Sequence, residues 1–180
     1  MNTAVLALLL TAAPLLLAAD QPHPDPAQVL AGRYYSQFPD ALVSGEKYTG
    51  ENIVEVVPVA SHAAYVRVHL DYFNGHTCGL YGVAKSYGDA LVFRDLKQDL
   101  ENQVCVLTVR RVGKSLSLDD GGGTCRSYCG ARGSLSQVEL PYGNKRPIRY
   151  LRRLKQSPQY RDALTEWQTG KRPQEFGQGR

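Results

Sequence analysis

The chain has 180 residues, with 21 Lys and Arg against 17 Asp and Glu and a formal net charge of +4. Without its apolar start about 160 residues remain, enough for one domain with a real core. No later stretch is long and apolar enough to cross a bilayer as a helix.

The start is a targeting signal by pattern. Val5 to Ala18 is almost wholly Leu, Ala and Val, with Thr11 and Pro14 as interruptions, and Ala18-Ala19 precede Asp20. A short apolar run closed by small residues reads as a signal peptide over 1–19. No Lys or Arg precedes the run, which leaves an uncleaved anchor as the rival, but the run falls short of the roughly 20 residues a bilayer core requires. The expected location is periplasmic or secreted. Residues 20–31, with Pro22, Pro24 and Pro26, read as a Pro-rich leader, extended apart from one helical turn near Ala27 to Ala31.

Strand signals then fill 32–140. Arg33 to Phe38 is aromatic, and Asn52 to Val59 is β-branched and ends near Pro58. Ala64 to Phe73 alternates, with Tyr65, Arg67, His69 and Asp71 on one face and Val66, Val68, Leu70 and Tyr72 on the other. Asn74-Gly75 is a hairpin turn signal into Thr77 to Ala84. Tyr87-Gly88-Asp89 turns into Ala90 to Arg94, and Asp95 to Gln103 reads as a polar loop. Val104 to Arg110 offers Val104, Val106 or Leu107, and Val109 to the core. Ser115 to Leu118, a flexible Asp119 to Gly123 loop, a Gly- and Cys-rich knot over Cys125 to Gly133 and a last strand, Ser134 to Leu140, follow. About eight short strands joined by frequent turns predict a mainly β fold, a small antiparallel up-and-down barrel.

The C-terminal part changes character. Ile148, Leu151 and Leu154 have helical spacing, Ser157-Pro158 supplies an N-cap and a first-turn proline, and Tyr160, Ala163, Leu164 and Trp167 form an apolar stripe ending before Gly170. One or two helices over 141–170 should pack on the barrel, and 171–180 reads as a disordered tail. Ten of the basic but only three of the acidic residues follow Pro141, which makes this part about +7 and the remainder about −3. In an exported protein that charge reads first as a solvated face, and no nucleic-acid partner is expected.

An even cysteine count in an exported chain reads as two disulfides. Three pairings of Cys78, Cys105, Cys125 and Cys129 are possible; Cys105–Cys125 with Cys78–Cys129 is favoured because the first would bracket a hairpin. The Cys125-x-x-x-Cys129 spacing leaves a zinc site as the rival, though such sites prefer tighter pairs. Oxidised sulfur removes Cys78 as a nucleophile beside His76, and no G-x-S-x-G, H-E-x-x-H or phosphate loop is present. The chain therefore reads as a non-enzyme with no cofactor or metal; His69 with Asp71 is the one pair that an enzyme would use. Asp119-Asp120 beside Gly121-Gly122-Gly123 is a weak cation or phosphate signal.

The segment Ser44-Gly45-Glu46-Lys47-Tyr48 is the strongest binding candidate, a polar loop that presents a hydroxyl, a cation and an aromatic ring together. Ser44-Gly45-x-x-Tyr48 resembles the S-G-x-x-Y loop of the periplasmic and membrane-bound C-type lysozyme inhibitors. The resemblance implies an eight-stranded barrel whose loop serine, Ser44, enters the carboxylate-lined cleft of a lysozyme-like hydrolase with Lys47 and Tyr48 beside it. The Cys78 and Cys125 to Cys129 surroundings are similar to small uncharacterised exported bacterial proteins. Another envelope protein is a further candidate partner. The alternative is a structural or small-ligand-carrying barrel with Tyr34, Tyr35, Tyr65, Tyr72 and Tyr81 around an interior site.

Overall fold

The computed structural model describes residues 24–98 and 103–171. The expected signal peptide, residues 20–23 of the leader and the tail beyond 171 lie outside the described residues.

Eight strands form one antiparallel sheet in sequence order, each paired with the next: β1 (Gly32–Ala41), β2 (Lys47–Ala60), β3 (Ala63–Tyr72), β4 (His76–Tyr87), β5 (Ala90–Gln98), β6 (Val104–Val112), β7 (Ser115–Asp119) and β8 (Val138–Pro141). The sheet curls into a nearly closed barrel. Beyond β8 the backbone meets β1 at one bridge, in which Arg33 and Arg146 exchange two N–H···O bonds of 2.8 Å. Closure of this kind leaves little free strand edge.

Side-chain alternation sets the phase of every strand. On β3, Val66, Val68 and Leu70 are buried inside the barrel while Arg67 and His69 face out, as the sequence pattern requires. The register Val54↔Val68 and Val56↔Val66 then turns Val54 and Val56 inward and Glu55 and Val57 outward. Glu55 and Val57 are nevertheless buried, because the C-terminal segment covers that outer face. Double coverage explains why Asn52 to Val59 is β-branched on both faces apart from Glu55, instead of alternating apolar and polar.

The strands differ from expectation in places. β1 and β2 extend toward each other to a short connection over 42–46, and β8 starts only at Val138. On β6 the inward residues are Cys105, Leu107 and Val109, and Val104 and Val106 are only half-buried on the other face. A shift of one residue reverses every face, and Cys105 fixes the phase by its disulfide. β5 continues through Asp95 to Gln98, with a register shift against β6 between Arg94 and Gln98; only 99–102 of the expected polar loop lie outside the described residues.

The leader is also more than a linker. Pro26–Val29 form a helical turn, α1, capped by Asp25, whose carboxylate accepts the Ala27 N–H at 3.0 Å. Ala27 and Leu30 are buried in the barrel core, and the Tyr34 hydroxyl donates to the Leu30 carbonyl at 3.0 Å. Asp25 also accepts the His62 N–H and the Ser86 hydroxyl, so it joins the β2–β3 turn to the β4–β5 hairpin. One end of the barrel is thereby plugged.

After β8 come two helices, α2 (Leu151–Lys155) and α3 (Pro158–Thr169). Ser157 caps α3, its hydroxyl accepting the Tyr160 N–H at 3.2 Å, and Gly170 closes it at φ 68°, as the sequence signals predict. The stripe on α3 packs Tyr160 and Ala163 against Tyr65 and Val57 in a second apolar cluster outside the barrel. Among the described residues no helix is long and apolar enough to cross a membrane.

Candidate functional site

The barrel end opposite α1 carries the Ser44 to Tyr48 segment. The β1–β2 connection folds on itself: the Leu42 N–H donates to the Glu46 carbonyl at 2.8 Å and the Gly45 N–H to the Leu42 carbonyl at 2.9 Å. It is tied sideways to the β3–β4 turn, where Asn74 Oδ1 accepts the Val43 N–H at 3.0 Å. Asn74 and Gly75 sit in the left-handed region, at φ 63° and 70°, which the Asn-Gly pair tolerates and most residues do not.

Tyr48 is the anchor of this end. Its hydroxyl donates to Asp40 Oδ2 at 2.8 Å, lies 3.2 Å from the Tyr72 carbonyl, and accepts the Gly75 N–H at 3.0 Å. Desolvation, and then the hydrogen bond to Asp40, hold the Tyr48 hydroxyl above its ordinary range, so it stays a donor at neutral pH. Tyr48 is half-buried and braces the loop, whereas Ser44, Gly45 and Lys47 are exposed. Beside them are two exposed apolar side chains the sequence reading did not single out. Val43 is 72% exposed and Phe73, on the adjoining turn, 48%, with the Arg132 guanidinium 6.0 Å from the Phe73 ring centroid.

The cysteines pair as favoured, Cys78–Cys129 and Cys105–Cys125. They fold the 125–133 knot onto the barrel wall where β4 and β5 part: Cys129 bridges to β4, and the Tyr128 hydroxyl bonds to Asp95 on β5. Next to the knot, the Asp119 to Gly123 segment is organised around a buried carboxylate. Asp120 accepts the Gly123 and Cys125 N–H groups at 3.0 Å each and the Ser136 hydroxyl. Its oxygens are engaged by donors from the chain itself, which gives the double aspartate a structural use. No group of three metal-ligating side chains occurs among the described residues.

His69 and Asp71 do form a pair, Nε2 to Oδ1 at 3.1 Å, on the outer face of β3. His69 is exposed, and Asp71 also accepts the Glu51 N–H at 2.8 Å. The five tyrosines considered for an interior site diverge. Tyr34 and Tyr72 face inward, Tyr65 lies outside under Tyr160, and Tyr35 and Tyr81 are on the outer surface. The interior around Tyr34 is packed with Val54, Val68, Leu91, Leu107 and Leu118.

A buried ionic cluster fastens the basic segment to the barrel. Glu55 is fully buried; Arg67 Nη2 lies 2.6 Å from its Oε2 and Arg33 Nε 3.9 Å from its Oε1, and the Tyr150 hydroxyl donates to Oε1. Desolvation and the bond to Glu55 raise the Tyr150 hydroxyl above its ordinary range. The lone acid inside a β-branched run was the available sequence signal, since a buried charge requires partners.

Within the ladder, the barrel wall parts between β4 and β5. The β4–β5 ladder runs for three pairs only, Lys85↔Val92, Ser86↔Leu91 and Tyr87↔Ala90. Beyond them the Phe93 ring lies against the backbone of Gly82, where a Cβ would meet it at 2.1 Å. α3 roofs the outer side of this seam and leaves a cavity of about 720 Å3.

Comparison with family models, curated proteins and solved structures finds no match for this chain. The two disulfides fit an oxidising, extracytoplasmic compartment.

Proposed function

We propose that the protein is an extracytoplasmic binding module that inserts the Val43 to Lys47 loop into a concave, acidic site on a partner, with a lysozyme-type glycosidase as the sharpest target. The observation that supports this is a protruding loop held rigid from below. Tyr48 makes three polar contacts at its base and Asn74 clamps its side, yet its tip offers Val43, Ser44 and Lys47 to the outside. A loop ordered before contact loses little entropy on binding. Val43 and Phe73 supply the apolar anchor that a docking surface requires, and Lys47 and Arg132 supply positive charge for a carboxylate-lined cleft. Ser44 provides a hydroxyl that fits between two carboxyl groups.

The test is inhibition of cell-wall lysis by C-type lysozymes, with complex formation followed by size-exclusion chromatography. Inhibition at micromolar protein is expected, with a loss of at least tenfold, or about 1.4 kcal/mol, for Val43→Asp and for Lys47→Glu. Absence of both a complex and inhibition at micromolar protein ends the lysozyme reading.

A further inference from the structure

The cavity beneath α3 lies apart from the loop end and is independent of the function proposed there. Its walls are Val83 and Val92 from the two parting strands, Phe93 on the inner side, and Ala163 and Trp167 from the helix. At about 720 Å3 it falls within the ~300–1,000 Å3 of sites that hold small molecules. The register places Lys85 opposite Val92, and Arg94 follows two residues on, so both cations share the outer face of the seam with Val92. Both are exposed at the rim.

Among the described residues that line the cavity, the cations Lys85 and Arg94 outnumber the single acid, Glu166. Among the described residues the ion pairs join Arg33 and Arg67 to Glu55, His62 to Asp25, and His69 to Asp71, which leaves Lys85 and Arg94 without a carboxylate partner. Glu166 is the one acid of the lining, and it already interacts within the chain. Tyr87, 81% exposed at the mouth, extends the apolar wall outward as an aromatic side.

The seam is an opening built by sequence. Gly82 lets Phe93 turn onto the β4 backbone, and this stacking takes the place of further ladder between β4 and β5. An apolar slot whose two lip cations have no carboxylate partner among the described residues suits one chemistry: apolar contact along the body of a ligand and charge-assisted hydrogen bonds at its end. We infer that the β4–β5 seam under α3 is a binding site for a single-chain amphiphile with an anionic head group, its chain between Val83, Phe93 and Trp167 and its head at Lys85 and Arg94.

Trp167 is the only tryptophan of the chain, so its fluorescence reports the site directly. The oxidised protein is titrated, below the micelle concentration of each probe, with dodecanoate, dodecyl phosphate, dodecyltrimethylammonium and dodecyl maltoside. A saturable change at micromolar concentration is expected with the two anionic probes, and at least tenfold weaker binding with the cationic and neutral ones. A preference between the carboxylate and the phosphate then distinguishes a fatty-acid from a phospholipid-like source. The double substitution Lys85→Glu/Arg94→Glu, on exposed side chains that leave the core intact, should weaken dodecanoate at least tenfold, and Val92→Phe, on the outer wall of the slot, should narrow it and weaken dodecanoate likewise. An equal response to all four probes, or none to the anionic ones, overturns the inference. A full response retained in the double variant overturns it as well. The lysozyme assay reads the other end of the barrel, so the two proposals fail separately.

Discussion

Glu55→Gln is the substitution that most directly tests how the basic segment is held. In the folded chain Glu55 is fully buried and meets Arg67 at 2.6 Å, Arg33 at 3.9 Å and the Tyr150 hydroxyl. Glutamine keeps the shape and an acceptor for Tyr150 but removes the negative charge. Breaking a buried pair by removing one partner costs about 3–5 kcal/mol. Here the orphaned cations are partly wet, with Arg33 and Arg67 side chains 24% and 34% exposed, and can recover some hydration, so about 3 kcal/mol is expected. For a domain of this size that corresponds to a fall in Tm of about 6–12 °C. Urea denaturation followed by far-UV circular dichroism and by Trp167 emission measures it. A companion double substitution, Glu55→Met/Arg67→Met, removes both strong charges and should recover at least half of the loss, because apolar residues of similar volume often replace a buried pair without penalty. A loss under about 1 kcal/mol for Glu55→Gln, the range of surface ion pairs, would refute the account of a buried electrostatic clamp.

Three further outcomes follow from the contacts. The carboxyl of Asp25 is held below its ordinary range, first by the Ser86 hydroxyl, against the opposing cost of burial, and then by the His62 and Ala27 N–H groups and the His62 charge. A depressed folded-state value contributes stability above the unfolded value of about 4 that is lost as pH falls through the folded one; Tm measured from pH 5 down to 2.5 should therefore show a shallower acid decline in Asp25→Asn than in wild type. The disulfides span 51 residues for Cys78–Cys129 and 20 for Cys105–Cys125, so loop-entropy scaling gives about 4 and about 3 kcal/mol; alanine pairs compared by urea denaturation should keep that order, and equal or reversed losses would show that strain or residual structure dominates. Gly82→Ala pushes a Cβ to 2.1 Å from the Phe93 ring and should cost about 1–3 kcal/mol by overpacking, with Phe93→Leu in the same chain restoring part of it; a neutral Gly82→Ala would contradict the stacking.

What the sequence made legible was whatever repeats or punctuates. β3 announces its two faces by strict alternation, Asn74-Gly75 marks its turn, and Ser157, Pro158 and Gly170 delimit α3 because caps act within a few residues. The cysteine pairing was open among three choices, and the hairpin argument singled out the one observed. Less legible were contacts between distant segments. That Glu55 is buried depends on Tyr150, ninety-five residues away, and nothing local in Asn52 to Val59 shows which outer face the tail will cover. The prolines read as an extended leader with one helical turn, and nothing in them shows that Ala27 and Leu30 close the barrel end. On β6 the alternation Val104, Val106 competes with Cys105, Leu107, Val109, and only the covalent partner of Cys105 decides between them. At the loop, Ser44 and Lys47 were visible as types. The use of Tyr48 as an internal brace was not, since its partners Asp40, Tyr72 and Gly75 come from two strand ends and a turn.

A small barrel must satisfy its ends and its closing edge, and the way this chain does so shows where function has room. α1 plugs one end, the Arg33–Arg146 bridge joins the first strand to the chain after the last, and the disulfide-held segment over 125–133 covers part of the β4–β5 parting. Each of these devices places apolar or hydrogen-bonding groups where water would otherwise compete. Two places are left open. At the loop end, exposed Val43 on the braced β1–β2 connection lies beside exposed Phe73 on the adjoining β3–β4 turn; at the seam, three ladder pairs are followed by an aromatic ring on a glycine and a slot whose cations have no carboxylate partner among the described residues. Both forgo stability that was available: Val43 buries little, and a longer β4–β5 ladder would add backbone hydrogen bonds. Features that forgo available stability in this way are the ones expected at sites of recognition, which is why the loop and the seam, rather than the packed interior, are where binding should be sought.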